Sequence, residues 1–518
     1  MNDLDFLKYL TEELPPLTFG SILYQEPEDD ACAVISMDEV AADAFTAFGA
    51  ALLQKGFQSI SSHSFGEAAF TTFTKDTLAL YVSYYPTVQQ LRIVGEQNSP
   101  YLSLQPEKAH YTGAPSLLTQ LELQDFGMSY LIRLSDGRFL VFDGGWDFEP
   151  DADHLMEELY RQSSDEIPRI AAWIFTHPHI DHYRCFLVFS EKYAGQFIVE
   201  RFLYNFPPIT DTIGEKAADL AKELPYLRRL ESVISELGTP VYTPHTGQSY
   251  QFANARLEIL SSLDDTCLYP SDGNTLSLVI KVMIDNQTIL FCGDADLTPA
   301  LLAERYGNYL KSDLLQVAHH GFHGGTTLCH KLINPSVCLV PCLDYDFYKT
   351  IDVHYEWIQT LLYDLDVREI FTGGDSTGAN VVLELPYTPR PNGKLLYLQK
   401  LRASQKEMGS TSWFFADMTA EDCRFSLLNT TINKPNVYAT LYTDNSAERV
   451  THIKLPLKAV AITNVDFATG EGIEDDALFF NRTSLAKKGF PAGKPFTVHI
   501  HSDQPIVVWC SKEPVYHA

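Results

Sequence analysis

The residues best suited to chemistry stand together near position 180. The run Thr176-His-Pro-His-Ile-Asp-His182 contains three imidazoles, from His177, His179 and His182, and the carboxylate of Asp181. Imidazole and carboxylate groups at this density suit zinc, and they also suit manganese or iron. A histidine-rich surface turn is the structural alternative. The apolar segment directly before the motif favours a metal site instead.

The elements around this motif must carry it to one edge of a sheet. Residues 171–175 form a short apolar run that predicts a buried strand delivering the polar cluster. Strand and helix signals alternate through this part of the chain, which indicates a layered α/β domain. Further strands are predicted over 129–134, 139–142, 276–284 and 288–292, and helices over 215–237 and from Thr298-Pro299 onward.

Four more short motifs accompany the histidine cluster along the chain. They are Phe142-Asp-Gly-Gly145, Leu290-Phe-Cys-Gly-Asp294, Val317-Ala-His-His-Gly321, and Phe371-Thr-Gly-Gly-Asp375 followed by Gly378. Taken in this order with His177-Pro-His-Ile-Asp-His182, they resemble the motif series of the metallo-β-lactamase superfamily. The matching motifs span about residues 115–385, which is roughly half of the chain.

The resemblance implies a four-layer αββα sandwich that holds two metal ions, expected to be Zn²⁺ with Mn²⁺ or Fe as alternatives. The implied ligands are His177 and His179 for the first metal, Asp181, His182 and His320 for the second, and Asp294 as the bridge. His320 is chosen over His319 because it directly precedes Gly321, as the late ligand of the family precedes a glycine. Asp143 is then an orienting residue in the floor of the site rather than a ligand.

One departure from the family pattern concerns the third histidine of the first metal. The only histidine between the cluster and Asp294 is His245, which we expect to be a surface residue in a turn before a strand. The position of the missing ligand is expected to fall in the segment from Asp272 to Ser277. Asn274 could offer an oxygen ligand there, or water could take the place.

The motif details narrow the resemblance further. A His-His-Gly motif combined with Asn-x-x-Ser-Leu-Val before the bridging aspartate is similar to the hydrolase domain of bacterial DNA-uptake (competence) proteins and to phosphorylcholine esterases. Both relatives imply phosphoester substrates, here a small or displayed one. A hydroxide bridging the two metals would attack phosphorus, with Asp181, Asp294 and His319 as the catalytic residues. His323 either stabilises phosphoryl oxygens or is a surface loop residue.

Two other functions stay open at this point. The same site could hydrolyse lactam, lactone or thioester bonds, because the same nucleophile can attack a carbonyl carbon. Alternatively, the chain could be a non-catalytic metal-binding partner protein, which the missing histidine would suit.

Composition restricts the partners and the location. The formal net charge of −29 disfavours long nucleic acid as a substrate, because an acidic body repels polyanions. Nine cysteines without a CxxC pair indicate reduced thiols. No signal peptide or membrane helix is predicted, so we expect a cytoplasmic protein without membrane contact. A homo-oligomer is compatible with the sequence.

The chain is expected to contain three domains. Residues 1–111 predict an α+β module, in which a capping box at Ser36-Met-Asp-Glu39 precedes a helix that ends at Gly56. Residues 112–388 form the metallo-β-lactamase-like catalytic domain. Residues 405–518 predict a β-rich, sandwich-like domain, because short apolar runs alternate there with turn residues.

Overall fold

The architecture is known from a computed structural model of the chain. It describes residues 3–108, 111–265, 272–295, 298–323, 325–352, 356–373, 380–394, 396–398, 410–419, 423–429, 435–443, 449–458, 461–467, 469–473, 490 and 493–510. The chain divides into two compact units, Met1–Lys394 and Leu395–Ala518. The described helices include none that is long and apolar enough to cross a membrane.

The first unit begins with an antiparallel sheet covered by two helices. Its elements are α1 (Asp3–Glu13), β1 (Ser21–Pro27), β2 (Cys32–Asp38), α2 (Ala42–Gln54), β3 (Gln58–Phe65), β4 (Ala68–Lys75), β5 (Leu78–Tyr85) and β6 (Gln90–Gln97). The strand order is β1-β2-β6-β5-β4-β3. Phe6 and Leu10 of α1 and Phe48 and Leu52 of α2 lie in one apolar core with residues of the sheet.

Two larger sheets follow in the remainder of the first unit. The first half of this segment in sequence contains β7 (Ser116–Gln120), β8 (Ser129–Arg133), β9 (Phe139–Asp143), α3 (Glu149–Gln162), β10 (Arg169–Ile174), α4 (Ile180–Lys192), β11 (Ile198–Val199), β12 (Phe202–Leu203), α5 (Ile213–Lys216), α6 (Leu224–Leu237) and β13 (Val241–Tyr242). The second half contains β14 (Ser249–Phe252), β15 (Ala255–Ser261), β16 (Val279–Ile284), β17 (Gln287–Phe291), α7 (Thr298–Tyr306), β18 (Leu314–Gln316), α8 (Thr327–Ile333), β19 (Val337–Val340), α9 (Asp344–Asp352), α10 (Glu356–Gln359), β20 (Glu369–Thr372) and β21 (Val381–Leu385).

The two sheets pack face to face and form the predicted αββα sandwich. One has the strand order β13-β12-β10-β9-β8-β7-β21, with β11 also paired to β10, and the other has the order β14-β15-β16-β17-β18-β19-β20. Side chains alternate between the two faces of each strand. Leu140 and Phe142 of β9 therefore join the core between the sheets. Phe139 and Val141 join the core beneath α3, α4 and α6. On the other sheet, α7 packs against β15.

The second unit is rich in β-structure, as expected for the C-terminal region. Its strands are β22 (Ser410–Met418), β23 (Arg424–Asn429), β24 (Asn436–Tyr442), β25 (Arg449–Pro456), β26 (Ala461–Asp466) and β27 (Phe496–Cys510). The strand order is β25-β24-β27-β23-β26, and β22 also pairs with β27. Trp413, Phe425 and Ile500 belong to its single described apolar core.

Most predicted elements are present, and two predictions are wrong in detail. Ser36 and Glu39 do not cap a helix, because Ser36 lies inside β2 and α2 begins only at Ala42 without a side-chain cap. The helix predicted over 215–237 is three pieces: α5, a 3-10 turn over Ala218–Lys222, and α6. Pro225 in the first turn of α6 explains the interruption, because proline favours the start of a helix. Asp375 and Gly378 of the last motif lie outside the described residues.

A buried ion-pair cluster joins the N-terminal sheet to the sandwich. Arg92 of β6 is fully buried, and its Nη1 lies 3.2 Å from Oδ2 of Asp264 and 2.7 Å from Oδ1 of Asp265. Its Nη2 donates to the carbonyl oxygen of Thr246 at 3.0 Å. Arg305 of α7 also contacts Asp265. Since a buried charge is tolerated only when it is paired, these residues hold the two layers to one another.

We expect Arg92→Ala to lower the free energy of unfolding by about 3–5 kcal/mol, because it leaves buried carboxylates without their partner. Denaturant unfolding of the full chain measures this change. Arg368→Ala is the matched control, since Arg368 pairs with Asp366 at the exposed surface and should cost no more than about 1 kcal/mol. Equal effects of the two substitutions would contradict the role of Arg92.

Candidate metal centre

The site is built at the carboxyl ends of neighbouring parallel strands. Asp143 ends β9, and the histidine cluster follows β10, which pairs with β9 in parallel. In the facing sheet, Asp294 follows β17 and His320 follows β18, and these two strands are also parallel neighbours. Because parallel strands end at the same edge of a sheet, the topology brings together residues that are distant in sequence.

Four of the predicted residues form a tight buried cluster. Asp181, His182, Asp294 and His320 each offer one ligand atom, and these atoms all lie within 4.8 Å of one another. Nε2 of His320 is 2.9 Å from Oδ2 of Asp181 and 3.0 Å from Oδ2 of Asp294. Nε2 of His182 is 3.2 Å from the same oxygen of Asp294. The carboxylate of Asp294 therefore lies between two imidazoles from different sheets.

His177 and His179 lie beside this cluster but differ in their contacts. His177 is fully buried, and its Nε2 is 3.9 Å from Oδ2 of Asp294. The ring centre of His177 is 4.0 Å from that of His182 and 4.7 Å from that of His179. His179 is half-buried, and its Nε2 contacts the carboxylate of Asp219.

The imidazoles are oriented by acceptors behind them. Oδ2 of Asp143 lies 2.8 Å from Nδ1 of His182, and both oxygens of Asp143 also accept hydrogen bonds from Thr176, each at 2.7 Å. The carbonyl oxygen of Pro341 lies 2.9 Å from Nδ1 of His320. An acceptor at Nδ1 fixes the ring so that Nε2 faces the cluster and can offer its electron pair there. Asp143 therefore contacts His182 on the side of the ring opposite to Nε2.

The unpartnered atoms of the cluster test whether a cation fits. Within the described part of the chain, Nε2 of His177, Nε2 of His182 and Oδ1 of Asp294 are buried without a hydrogen-bond partner. Buried polar atoms normally have partners, because an unsatisfied one is costly. These orphaned atoms are nitrogen and oxygen donors of the kind that zinc-class cations prefer. The residues present therefore fit a metal centre.

Mutual charge effects set the protonation of the cluster. Burial by itself lowers the pKa of His182, but Asp294, Asp143 and Asp181 raise it well above its ordinary value. Against the same burial effect, Asp294 and Asp181 raise the pKa of His320 to about 10. Burial would raise the pKa of Asp294, yet His182 and His320 hold it well below its usual range. Without a cation the two imidazoles therefore retain protons, which cation binding must release.

The loop that carries His320 has an uncommon backbone. His319, His320 and Gly321 have φ values of 50°, 53° and 78°. Left-handed conformations in consecutive non-glycine residues cost energy and are concentrated at functional sites. The amide of His319 donates to the carbonyl oxygen of Gly293 at 3.1 Å, which links this loop to the one that carries Asp294.

The remaining predicted residues surround the cluster. Asn274 is buried, and its Oδ1 has no hydrogen-bond partner among the described residues. His319 is half-buried, and its ring centre lies 5.4 Å from that of the exposed His323. Asn274 stands in the 3-10 turn Gly273–Leu276, where Asp272 caps the amides of Asn274 and Thr275.

The expectation for His245 is wrong. The residue is fully buried rather than at the surface, and its Nδ1 lies 2.9 Å from Oδ1 of Asp264. Its ring also stacks on Tyr81, with ring centres 5.2 Å apart. The turn was identified, but the N-terminal sheet that covers it could not be anticipated from the local sequence.

Sequence reasoning missed Asp219. This residue contacts Nε2 of His179 and accepts hydrogen bonds from the amide of Gly273, at 3.2 Å to Oδ1 and 3.1 Å to Oδ2. Glycine at position 273 allows this close approach, because a Cβ atom there would press against the imidazole of His179 and the side chain of Leu220. Assigning Asp219 to one long helix concealed it. The proline at 225 is the signal that could have revealed the break.

Comparison with known proteins concerns mainly the central part of the chain. Residues 138–318 match the family model described as the Beta-lactamase superfamily domain. None of the curated proteins compared with the chain matches it.

Several solved structures are similar to the chain. A β-lactamase domain protein from Burkholderia ambifaria has 15% identity over 41% of this chain and 66% of its own, with a TM-score of 0.24. Unliganded yeast PDE1 has 12% identity over 52% of this chain and 100% of its own, with a TM-score of 0.31. A flavo di-iron protein mutant from Thermotoga maritima has 10% identity over 67% of this chain and 62% of its own, with a TM-score of 0.21.

We expect Asp143→Ala to destabilise the metal-free protein by about 3 kcal/mol or more. The substitution leaves the buried donors of Thr176 and His182 without an acceptor, and each such donor costs about 1–3 kcal/mol. Denaturant unfolding in the presence of a chelator measures the effect. Asp30→Ala, at an exposed position, is the control and should change stability little. A loss below about 1 kcal/mol for Asp143→Ala would contradict its role.

Proposed function

We propose that the chain is a dinuclear-metal hydrolase that cleaves phosphoester bonds of a small or displayed substrate. The observation that carries the proposal is the cluster of Asp181, His182, Asp294 and His320, which converges from two sheets with buried donor atoms left unpartnered. Such a set has little structural use without a cation, because its orphaned atoms cost free energy.

The residues divide between two cation positions. His177 and His179 would hold one cation, Asp181, His182 and His320 would hold the other, and Asp294 would contact both. Zinc is the expected metal, with manganese or iron as alternatives, since the donors are imidazoles and carboxylates. When bound, such cations supply Lewis acidity, which activates water near neutral pH and neutralises charge on the reacting group.

The residues of the chain itself supply orientation and proton transfer. Asp143 and the carbonyl of Pro341 fix the rings of His182 and His320, so that no reorganisation is needed during the reaction. Asp181 and Asp294 are held as carboxylates by the neighbouring imidazoles, which keep the pKa of each below its ordinary value despite burial. His319 and the exposed His323 stand at the outer side, where an imidazole could give a proton to a leaving oxygen.

The choice of a phosphoester rests on the sequence. The His-His-Gly motif and the Asn-x-x-Ser-Leu-Val run are similar to those of DNA-uptake hydrolase domains and phosphorylcholine esterases, which act on phosphoesters. The net charge of −29 supports a small substrate over long nucleic acid. A membrane-free, cytoplasmic location belongs to the same proposal.

Asp219 is proposed as the further ligand of the first cation. It occupies the side of His179 that faces Gly273, in the region where a third histidine is absent. Burial would raise the pKa of Asp219, but hydrogen bonds from His179 and the amide of Gly273 keep it below its ordinary value. The carboxylate is therefore charged at neutral pH and can bind a cation once His179 turns its electron pair toward the same ion.

We expect Asp294→Ala to abolish phosphodiester hydrolysis and to remove about two cations per chain relative to the wild type. Metal analysis of the purified chain and assays with a chromogenic phosphodiester measure both effects. Asp366→Ala, at an exposed carboxylate, is the control and should keep metal and activity.

Parallel assays with a phosphodiester, a lactam and a lactone test the bond that is cleaved. Cleavage of only the lactam or the lactone would overturn the phosphoester assignment and keep the hydrolase. Hydrolysis by metal-free wild-type protein would overturn the whole proposal.

We expect Asp219→Asn to weaken the first cation about tenfold or more, so that the chain retains about one cation fewer. Titration of the metal-free protein with Co²⁺, followed by its visible absorption, reports the lost ligand independently of activity. Glu215→Gln lies in the same segment at an exposed position and should leave the titration unchanged. An unaltered spectrum and stoichiometry in Asp219→Asn would show that Asp219 is not a ligand.

A further inference from the structure

A second cluster of metal-binding side chains lies at the junction of the N-terminal sheet and the sandwich. Glu28, Cys32 and His245 each offer one ligand atom, and these atoms all lie within 4.8 Å of one another. Their exposed fractions are 7%, 6% and 0%. Glu28 directly follows β1, Cys32 begins β2, and His245 lies between β13 and β14. The cluster therefore joins parts of the chain that are more than 200 residues apart.

His245 is oriented as a ligand would be. Its Nδ1 lies 2.9 Å from Oδ1 of Asp264, which also accepts a hydrogen bond from Asn205 at 3.1 Å. Donation from Nδ1 to this buried carboxylate leaves an electron pair on Nε2. No described residue forms a hydrogen bond with that atom, although it is fully buried. A carboxylate behind the imidazole is the usual support of metal-bound histidine.

Glu28 supplies a second unpartnered atom. Its Oε2 lies 3.2 Å from Sγ of Cys32, whereas its Oε1 is buried without a hydrogen-bond partner in the described chain. A thiol, an imidazole and a carboxylate around one point make a donor set of sulfur, nitrogen and oxygen. This mixture suits zinc better than calcium or magnesium, which prefer oxygen alone.

Glu96 stands beside these three donors. Cys32 and Glu96 are paired across β2 and β6, and Oε2 of Glu96 is 3.7 Å from Nε2 of His245. The hydroxyl of Tyr81 donates a hydrogen bond to the same oxygen of Glu96 at 3.2 Å.

We propose that Glu28, Cys32 and His245 bind a zinc ion that ties the N-terminal sheet to the sandwich. The site is separate from the hydrolase centre and does not depend on its activity. Its zinc ion would be additional to the two cations of the proposed hydrolase centre.

The test uses the full chain, stripped of metal and titrated with Co²⁺. A cysteine ligand produces a thiolate-to-cobalt charge-transfer band in the near ultraviolet, which imidazole and carboxylate ligands do not. We expect this band in the wild type and its loss in Cys32→Ala, together with about one cation fewer per chain. Cys338→Ala removes another buried free thiol, in β19, and should keep the band. A wild type without the band, or a band that survives in Cys32→Ala, would overturn the proposal.

Two further variants of the chain keep the test decisive if Cys32→Ala does not fold. Glu28→Gln conserves shape, and we expect it to weaken cobalt binding at the thiolate band about tenfold or more. Asp294→Ala should lose the cations of the hydrolase centre and keep the thiolate band, so that failure of either proposal is seen separately. X-ray absorption of the zinc-loaded Asp294→Ala protein should show sulfur at about 2.3 Å. Absence of that sulfur, or unchanged binding in Glu28→Gln, would refute the second site.

Discussion

The site depends first on the carboxylate of Asp143. It accepts hydrogen bonds from the amide and the hydroxyl of Thr176, and it lies against Nδ1 of His182. These contacts connect the end of β9 with the loop after β10, so the turn of the histidine cluster is defined by a single buried acceptor. Because Asp143 has a φ of 56°, its carboxylate can turn into the sheet edge while the chain continues to Gly144 and Gly145. The positions of His177 and His182 follow from that turn.

Much of the central fold could be predicted because its signals are local. The apolar runs before the histidine cluster and before Asp294 are strands, and the Asp285-Asn286 turn joins β16 to β17 with both residues at positive φ. Motif order then indicated which strand ends meet. The cluster of Asp181, His182, Asp294 and His320 shows that those strand ends do converge.

The features that escaped prediction are set by contacts between distant segments. Asp219 gains its place from Gly273 and His179, which lie on either side of it in sequence. His245 is buried by Tyr81 and held by Asp264, neither of which its own turn sequence reveals. The false capping box at Ser36 has the same origin. Pairing of β2 with β1 and β6 is stronger than a local tendency to begin a helix.

The contacts of Arg92 determine whether the N-terminal sheet can be separated from the sandwich. The partners of Arg92, Asp264 and Asp265, shortly precede Gly273 and Asn274 in the sequence, and Gly273 lies beside His179. A sandwich separated from its N-terminal sheet would lose Tyr81, which stacks on His245, and would leave these two acidic residues without Arg92. The sheet and the sandwich are therefore expected to fold as one unit. Recombination that exchanges only the N-terminal sheet between related chains would succeed only where the incoming sheet restores a guanidinium at that position.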